Sequence, residues 1–204
     1  MGGAVTTLSD AQRAALEILA SVVDPTTYVG GGVAVALRLG HRQSRDLDLF
    51  VPSSDPVAMS PALERPGIRI LTRADGTLHL EVSGIPASIL RYQYPLLQPA
   101  EHILGVPIPV ASFDDLICMK LSAIAGRGAR RDFWDLHAML TARRQPLREA
   151  IEAYGRKYAT EDVGHVVRSL TYFAEAESEP LPTGLTQTDW ENIQAELRAW
   201  VRQL

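Results

Sequence analysis

The 204 residues are 46% hydrophobic and 22% charged, in the ordinary range of globular proteins, and they suffice for one domain or one domain with a helical extension. No apolar stretch reaches the length that spans a bilayer, which argues against a membrane protein. The net charge of −4 argues against broad electrostatic binding of nucleic acid, but it leaves room for a local basic groove.

The first predicted element is a helix over residues 8–23. Its apolar residues recur at helical spacing, and Ser9 with Gln12 forms a capping-box pattern. The residues at the start of the chain lack a basic segment followed by an apolar core, so we expect no signal peptide. Pro25 ends the helix, and a short strand follows over residues 26–29.

Three consecutive glycines follow this strand and open a short helix. Gly30, Gly31 and Gly32 precede an apolar run over residues 33–39, which Gly40 closes. Because glycine has no Cβ, backbone N–H groups in such a turn approach a ligand closely, and the helix directs its positive end at an anion. The pattern predicts a cradle for phosphate.

Two carboxylates flank the start of the next predicted strand, residues 47–51. In a strand, residues two apart point to the same face, so Asp46 and Asp48 lie side by side. Neighbouring carboxylates repel, and a hard divalent cation relieves this repulsion. Mg²⁺ is bound through one or two carboxylates together with substrate phosphates. A carboxylate pair joined to a phosphate cradle by one short helix predicts a nucleotide–metal site.

The chain up to residue 110 continues with a weak helix and several strands. The helix covers residues 55–64, and Pro61 predicts that it is short or broken. Strands are predicted over residues 68–72, 78–82 and 85–92, and as a further pair within residues 101–110. Two turn dipeptides separate the first three strands, namely Asp75-Gly76 and Ser83-Gly84. This spacing predicts a mixed sheet with hairpins.

The second half of the chain reads as helices. They are predicted over residues 112–124, 130–141, 147–158 and 162–174, and a last helix is predicted from the cap that Thr188 and Glu191 form. The single cysteine, Cys118, lies in an apolar helical run, so we expect a buried thiol. A chain with one cysteine has no internal disulfide, which is typical of a reducing cytoplasm.

Two blocks of residues resemble a known family. Gly31-Gly32, a short helix and Ser44-x-Asp46-x-Asp48 are similar to the signature of the nucleotidyltransferase superfamily, and more narrowly to the AbiEii/MenT-type toxins of bacterial toxin–antitoxin pairs. The second block has the helical lysine, downstream arginine and basic-Asp-x-x-Asp-Leu run of that family. Its residues are Lys120, Arg127, Arg130, Arg131, Asp132, Asp135 and Leu136.

The resemblance implies a fold of the α+β class with an α/β-type core. Residues 1–110 are expected to form a nucleotidyltransferase-like mixed β-sheet core with flanking helices. Residues 111–204 are expected to form a helical half that completes the active-site cleft, so that both parts make one folding unit.

The resemblance also implies roles for individual residues. The catalytic set is Asp46, Asp48, Lys120 and Asp132, and the first two are the metal ligands. The nucleotide contacts are Gly31, Gly32, Ser44, Arg45, Lys120, Arg127 and Arg131. Lys120 is expected to be a mobile charge suited to a triphosphate. For Asp132 and Asp135, which share a helical face, a structural salt bridge is the alternative to a functional role.

The activity implied is metal-dependent transfer of a nucleoside monophosphate from an NTP to an acceptor, with Mg²⁺ or Mn²⁺. The acceptor expected is an RNA such as tRNA, and the expected protein partner is a cognate antitoxin. Many nucleotidyltransferases carry a third carboxylate on a later strand, where this chain has Ser88, and Glu81 is the nearest substitute. Two alternatives remain open: an impaired scaffold that binds a nucleotide or a protein, and an enzyme that modifies a small molecule.

Overall fold

The computed structural model describes residues 8–204. These residues group into two compact units, the first ending at Ser112 and the second comprising Phe113–Leu204. The expectation about a signal peptide concerns in part residues 1–7, which lie outside the described residues. That the two units fold as one body remains a prediction.

The first unit is built on a mixed five-stranded sheet. Its strands are β1 (Tyr28–Gly30), β2 (Leu47–Val51), β3 (Ile68–Ala74), β4 (Thr77–Val82) and β5 (Ile85–Arg91). Their order in the sheet is β1-β2-β5-β4-β3. β2 and β5 run parallel, and all other neighbours are antiparallel. The predicted hairpins therefore form as expected, and the fold class is confirmed.

Three helices and a 3₁₀ turn complete this unit. They are α1 (Asp10–Ala20), α2 (Gly31–Leu39), the 3₁₀ turn (Pro56–Met59) and α3 (Ser60–Leu63). The capping box predicted for α1 is present, with Ser9 as the N-cap and Gln12 as its partner. α2 begins at the second glycine of the triplet, and Gly40 is its C-cap. The weak helix predicted over residues 55–64 is broken near its proline.

The two faces of the sheet differ in polarity. One face is apolar and buried, and its residues include Leu47, Leu49, Leu78, Leu80, Ala87 and Ile89. The opposite face carries Asp48 on β2, Ser88 on β5 and His79 on β4, which are half-buried or exposed. This alternation follows from the period of two in a strand. It leaves a polar face available for chemistry.

The strand pair predicted within residues 101–110 does not form as regular strands, and only its two ends pair. Within the described residues this segment makes only isolated bridges, from Val110 to Glu101 and to Val29. Proline has no N–H to donate to a ladder, and this short segment contains Pro107 and Pro109.

The second unit is helical. Its helices are α4 (Phe113–Gly126), α5 (Arg130–Arg143), α6 (Leu147–Tyr158), α7 (Gly164–Ser169), α8 (Ala174–Ser178) and α9 (Gln187–Val201). Its core includes a cluster of three rings, Phe133, Phe173 and Trp190, with centroids 5.0–6.0 Å apart. Among the described residues of the whole chain, no helix combines the length and the apolar character needed to cross a membrane.

Two details of the helical unit differ from prediction. Residues 162–174, predicted as one helix, contain the whole of the short helix α7 and only the first residue of α8. At the end of the first of them, the hydroxyls of Ser169 and Thr171 donate to the carbonyls of His165 and Arg168 at 2.8 and 3.1 Å. Such local bonds compete with a continuing helix.

The cap of the last helix lies two residues earlier than predicted. Thr186, and not Thr188, is the N-cap of α9. Its hydroxyl accepts from the N–H of Asp189 at 3.1 Å, and the Asp189 carboxylate accepts from the N–H of Thr186 at 3.1 Å. The pair Thr186–Asp189 has the same spacing as Thr188–Glu191, so the pattern alone does not distinguish them.

Candidate active site

The glycine turn lies directly against one of the two predicted metal ligands. β1 and β2 pair so that Gly30 is opposite Asp48. A Cβ placed on Gly31 would lie 2.8 Å from Cγ of Asp48 and closer still to its carboxylate oxygen. Gly31 also has a φ of 61°, which disfavours any residue with a side chain. The carboxylate of Asp48 therefore reaches the first turn of α2 because position 31 is a glycine.

Two further polar groups lie against the same helical turn. A Cβ on Gly32 would lie 2.6 Å from Nη2 of Arg42 and 3.0 Å from Oγ of Ser44. Gly31, Gly32, Ser44 and Asp48, all predicted site residues, are thus brought together in the first unit. Arg42 is not among the predicted site residues, although its place in the sequence between the helix and Ser44 is a usable signal.

The acid pair has the chemistry of a magnesium site. Asp48 is half-buried within β2, and Asp46 lies exposed just before that strand. No group of three or more His, Cys, Asp or Glu side chains that could hold a metal occurs among residues 8–204. A cation held by the pair therefore needs further oxygen ligands, which substrate phosphates supply for Mg²⁺. The residues present fit such an ion.

The strand register shows what stands beside the acid pair. Ser88 is the direct neighbour of Asp48 across the parallel pair β2–β5, at the position where many nucleotidyltransferases carry a third carboxylate. Nδ1 of His79, on β4, lies 3.0 Å from Oγ of Ser88. Glu81 is instead paired with Arg69 on β3 at 2.9 Å. This ion pair argues against Glu81 as the substitute for the third carboxylate.

A cleft of about 930 Å³ adjoins this region in the first unit. Three predicted site residues line it: Ser44, Arg45 and Asp46. The other walls come from residues 8–12 around the start of α1, from the middle of α2 and from the start of β5. The loop before the acid-bearing strand therefore has one side open to a space large enough for a small molecule.

In the second unit, three predicted site residues form one buried network. Lys120 on α4 is 5% exposed, and its Nζ lies 2.8 Å from Asp132 and 2.7 Å from Asp135 on α5. Arg127 donates to both carboxylate oxygens of Asp132, at 2.8 and 3.0 Å. The two aspartates are three residues apart, so they share the face of α5 that meets the lysine.

This arrangement corrects the expectation of a mobile lysine. The Lys120 ammonium is enclosed by two carboxylates, whereas the side chain of Arg127 is 56% exposed. Burial by itself would raise the pKa of Asp132, but the charge of Lys120 and the hydrogen bond and charge of Arg127 outweigh it and hold that pKa below its ordinary value. Asp132 therefore stays ionised and fixes the guanidinium of Arg127.

The other basic residues of this block have different surroundings. Arg131 is exposed and lies outside the network. Arg130 is buried, donates to the carbonyl of Ala176 at 2.9 Å, and lies 5.0 Å from the ring of Trp190. Arg130 is therefore a core residue and does not contribute to a basic groove.

The cysteine prediction holds. Cys118 is fully buried, and burial is the main cause that raises the pKa of its thiol to about 12. A thiol with this pKa is not a nucleophile at neutral pH. Asp115 and Lys157 nearby form a second buried ion pair at 2.7 Å, which contains no predicted site residue.

Comparison with known proteins agrees with the motifs. The sequence model of one family, described as nucleotidyl transferase AbiEii toxin of a type IV TA system, matches residues 55–202. The match includes Lys120, Arg127 and Asp132, whereas the glycine turn and the acid pair precede it. An uncharacterized protein of Aquifex aeolicus (strain VF5) is 32% identical over 201 residues, which cover 96% of this chain and 97% of that protein.

Solved structures show the same fold. The nucleotidyltransferase toxin MenT4 from Mycobacterium tuberculosis H37Rv has a TM-score of 0.67 and 21% identity, over 95% of this chain and 82% of that chain. The antibiotic-resistance factor ANT(2'')-Ia has a TM-score of 0.56 and 18% identity, over 78% of this chain and 98% of that chain. The family match extends over well more than half of the sequence and confirms the resemblance. The chain therefore belongs to the AbiEii nucleotidyltransferase toxin family, and it is a nucleotidyltransferase.

Proposed function

We propose that this enzyme moves a nucleoside monophosphate from an NTP to a hydroxyl group of an RNA, as the toxin of a toxin–antitoxin pair. In this reaction the acceptor oxygen bonds to the α-phosphorus, the bond from that phosphorus to the bridging oxygen breaks, and pyrophosphate and a proton are released. The observation that carries the proposal is the contact between the Asp48 carboxylate and the glycine turn that opens α2.

The first unit would bind the phosphates and the metal. Asp46 and Asp48 would hold a divalent cation, Mg²⁺ or Mn²⁺, which when bound neutralises phosphate charge. The N–H groups of Gly31 and Gly32, at the positive end of α2, would bind a phosphate oxygen. The hydroxyl of Ser44 faces the same helical turn and would donate to that phosphate, and Arg45 at the cleft would contact the nucleotide.

The second unit would add fixed positive charge. Arg127 is the exposed member of the buried network, and Asp132 holds its guanidinium through two hydrogen bonds. A fixed guanidinium binds phosphate in a bidentate manner. Lys120 would keep Asp132 ionised and in place, and Arg131 would contact the nucleotide or the acceptor backbone. That both units serve one reaction is part of the proposal.

The acceptor and the partner are inferred from the family. Its description names a toxin of a TA system, which supports an antitoxin as the partner of this chain. A toxin that uses NTPs would find both its substrate and its RNA in the cytoplasm. For the acceptor we favour tRNA.

A second candidate function rests on one observation. Ser88 stands next to Asp48 and has His79 within hydrogen-bond distance, where many nucleotidyltransferases have a third acid. This favours a protein that binds a nucleotide, or a protein partner, with little transfer. The fold likeness to ANT(2'')-Ia also keeps a small-molecule acceptor as an outcome to be tested.

Incubation with each α-labelled NTP, Mg²⁺ or Mn²⁺ and total cellular RNA tests these functions. The proposal requires labelled RNA with the wild type and none with Asp48→Asn. The matched control is Asp75→Asn, which changes an exposed aspartate whose ion pair with Arg91 spans 3.3 Å and contributes little to stability. Binding of NTP without any labelled RNA would favour the second candidate, and label on an added aminoglycoside would favour a small-molecule acceptor.

A further inference from the structure

We infer that Gln12, on the first turn of α1, is a positioning residue for the loop of residues 43–46. This inference rests on the proposed function, because that loop carries Ser44, Arg45 and Asp46. Nε2 of Gln12 donates to the carbonyl oxygen of Ser44 at 2.8 Å and lies 3.4 Å from that of Arg45. These contacts join residues more than 30 positions apart in the chain.

The capping box fixes the orientation of the Gln12 side chain. Its Oε1 accepts from the N–H of Ser9 at 3.1 Å, and its own N–H donates to Oγ of Ser9 at 3.1 Å. With the amide oxygen held by the helix N-terminus, the amide nitrogen faces the loop. Gln12 is only 8% exposed, so water competes weakly for these bonds.

The position of the loop matters for both parts of the site. Ser44 Oγ lies near the first turn of α2, at the point where a Cβ on Gly32 would stand 3.0 Å from it. Asp46 follows two residues later and leads directly into β2. A shift of the Ser44 backbone would therefore move a phosphate contact and a metal ligand together. A misplacement of about 1 Å can cost about a hundredfold in rate.

A single substitution separates the two roles of Gln12. Gln12→Glu keeps an acceptor for the N–H of Ser9, and glutamate is a preferred residue at this position of a capping box. The same change removes the donor and places a carboxylate oxygen against the carbonyl of Ser44. Gln12→Met removes the donor without adding charge. Ser9→Ala is the matched control, since it removes the hydroxyl of the cap and leaves the amide of Gln12 in place.

Two measurements test the inference. Hydrogen exchange of the ligand-free protein, followed by mass spectrometry, should show faster exchange in residues 43–46 for Gln12→Glu and Gln12→Met but not for Ser9→Ala. Transfer from labelled NTP should fall about tenfold to a hundredfold in kcat/KM for both Gln12 variants and stay within about twofold for Ser9→Ala.

Several outcomes would overturn the inference. Unchanged exchange in residues 43–46 would show that Gln12 does not hold the loop, and faster exchange with full transfer would show that its hold has no role in the reaction. A loss confined to Gln12→Glu would assign the effect to charge. Asp48→Asn, which should abolish transfer without changing loop exchange, separates this inference from the proposed function. If the wild type transfers nothing, the proposed function fails. In that case the exchange measurement still tests the contact between Gln12 and the loop, and unchanged exchange in the Gln12 variants would refute it.

Discussion

The carboxylate of Asp48 lies in the space that a side chain at residue 31 would need. A Cβ on Gly31 would come within 2.8 Å of Cγ of Asp48, and the φ of Gly31 is 61°. The backbone at the start of α2 and the proposed metal ligand are therefore in direct contact. This relationship makes the glycine part of the site and not only of the turn.

Gly31→Ala should abolish transfer, because the new methyl group displaces the Asp48 carboxylate. It should also lower the free energy of unfolding by about 1–2 kcal/mol from the left-handed backbone alone. Gly84→Ala is the matched control, since Gly84 has a φ of 84° and nothing lies within 4 Å of its Cβ position. Urea unfolding and labelled-NTP transfer measure both effects. Full transfer by Gly31→Ala would contradict the contact.

Asp46→Asn and Asp48→Asn should each abolish transfer and leave the fold intact. Each change removes a charge that would hold the cation, and the cation in turn would hold the substrate phosphates. Two neighbouring carboxylates without a cation repel each other, so the change should not harm the metal-free fold. Glu81→Gln should reduce transfer only slightly, because the Glu81 carboxylate forms an ion pair with Arg69 on the edge strand β3. Thermal melts without metal test whether the variants keep their fold, and transfer measured with metal tests whether they keep their activity. A loss in Glu81→Gln as large as in the Asp variants would identify Glu81 as the missing acid.

Lys120→Met should destabilise the protein by about 3–5 kcal/mol, because it leaves buried carboxylates without their cation. Lys157→Met removes the partner of Asp115 in the same unit and should cost a similar amount. Only Lys120→Met should lose NTP binding at a temperature where both variants remain folded. Urea unfolding and calorimetry with NTP compare them. Equal NTP binding by the two variants would leave the Lys120 network a purely structural role.

The stability of the wild type should fall in acid in a way that depends on Asp132. The folded-state pKa of Asp132 is lowered from its ordinary value of 3.8. The stability that ionised Asp132 contributes is therefore fully present above pH 3.8. The contribution is lost as the pH falls from about 4 through the lower folded-state pKa. The difference in free energy of unfolding between wild type and Asp132→Asn should therefore narrow below about pH 4. A difference that stays constant down to pH 3 would contradict the lowered pKa.

Local sequence patterns predicted most of the first unit. The alternation in residues 47–51 and 78–82 matches strands with one buried face, and the dipeptides Asp75-Gly76 and Ser83-Gly84 mark both hairpin turns. The patterns failed where backbone hydrogen bonds decide the outcome. Residues 101–110 contain prolines that donate no N–H, and side-chain hydroxyls at the end of α7 compete with helix continuation.

The site could be predicted only in part for a related reason. Asp48 follows the glycine turn closely in sequence, so one short helix and one strand suffice to bring its carboxylate against that turn. The contact from Gln12 to Ser44 spans 32 residues and depends on how α1 packs, which no local pattern encodes. The burial of Lys120 likewise follows from the packing of α4 against α5, whereas its sequence context permits an exposed charge equally well.

The buried lysine also constrains how the helical unit can move. Lys120 on α4 bonds to both Asp132 and Asp135 on α5, and the short connection between these helices includes Arg127, which bonds to Asp132 as well. Sliding or rotating one helix against the other would separate the Lys120 ammonium from the carboxylates. A buried charge would then have neither a partner nor water, at a cost of several kcal/mol. We therefore expect the two helices and their connection to move as one rigid hairpin, so that a motion bringing Arg127 to the proposed substrate would carry the whole hairpin with it.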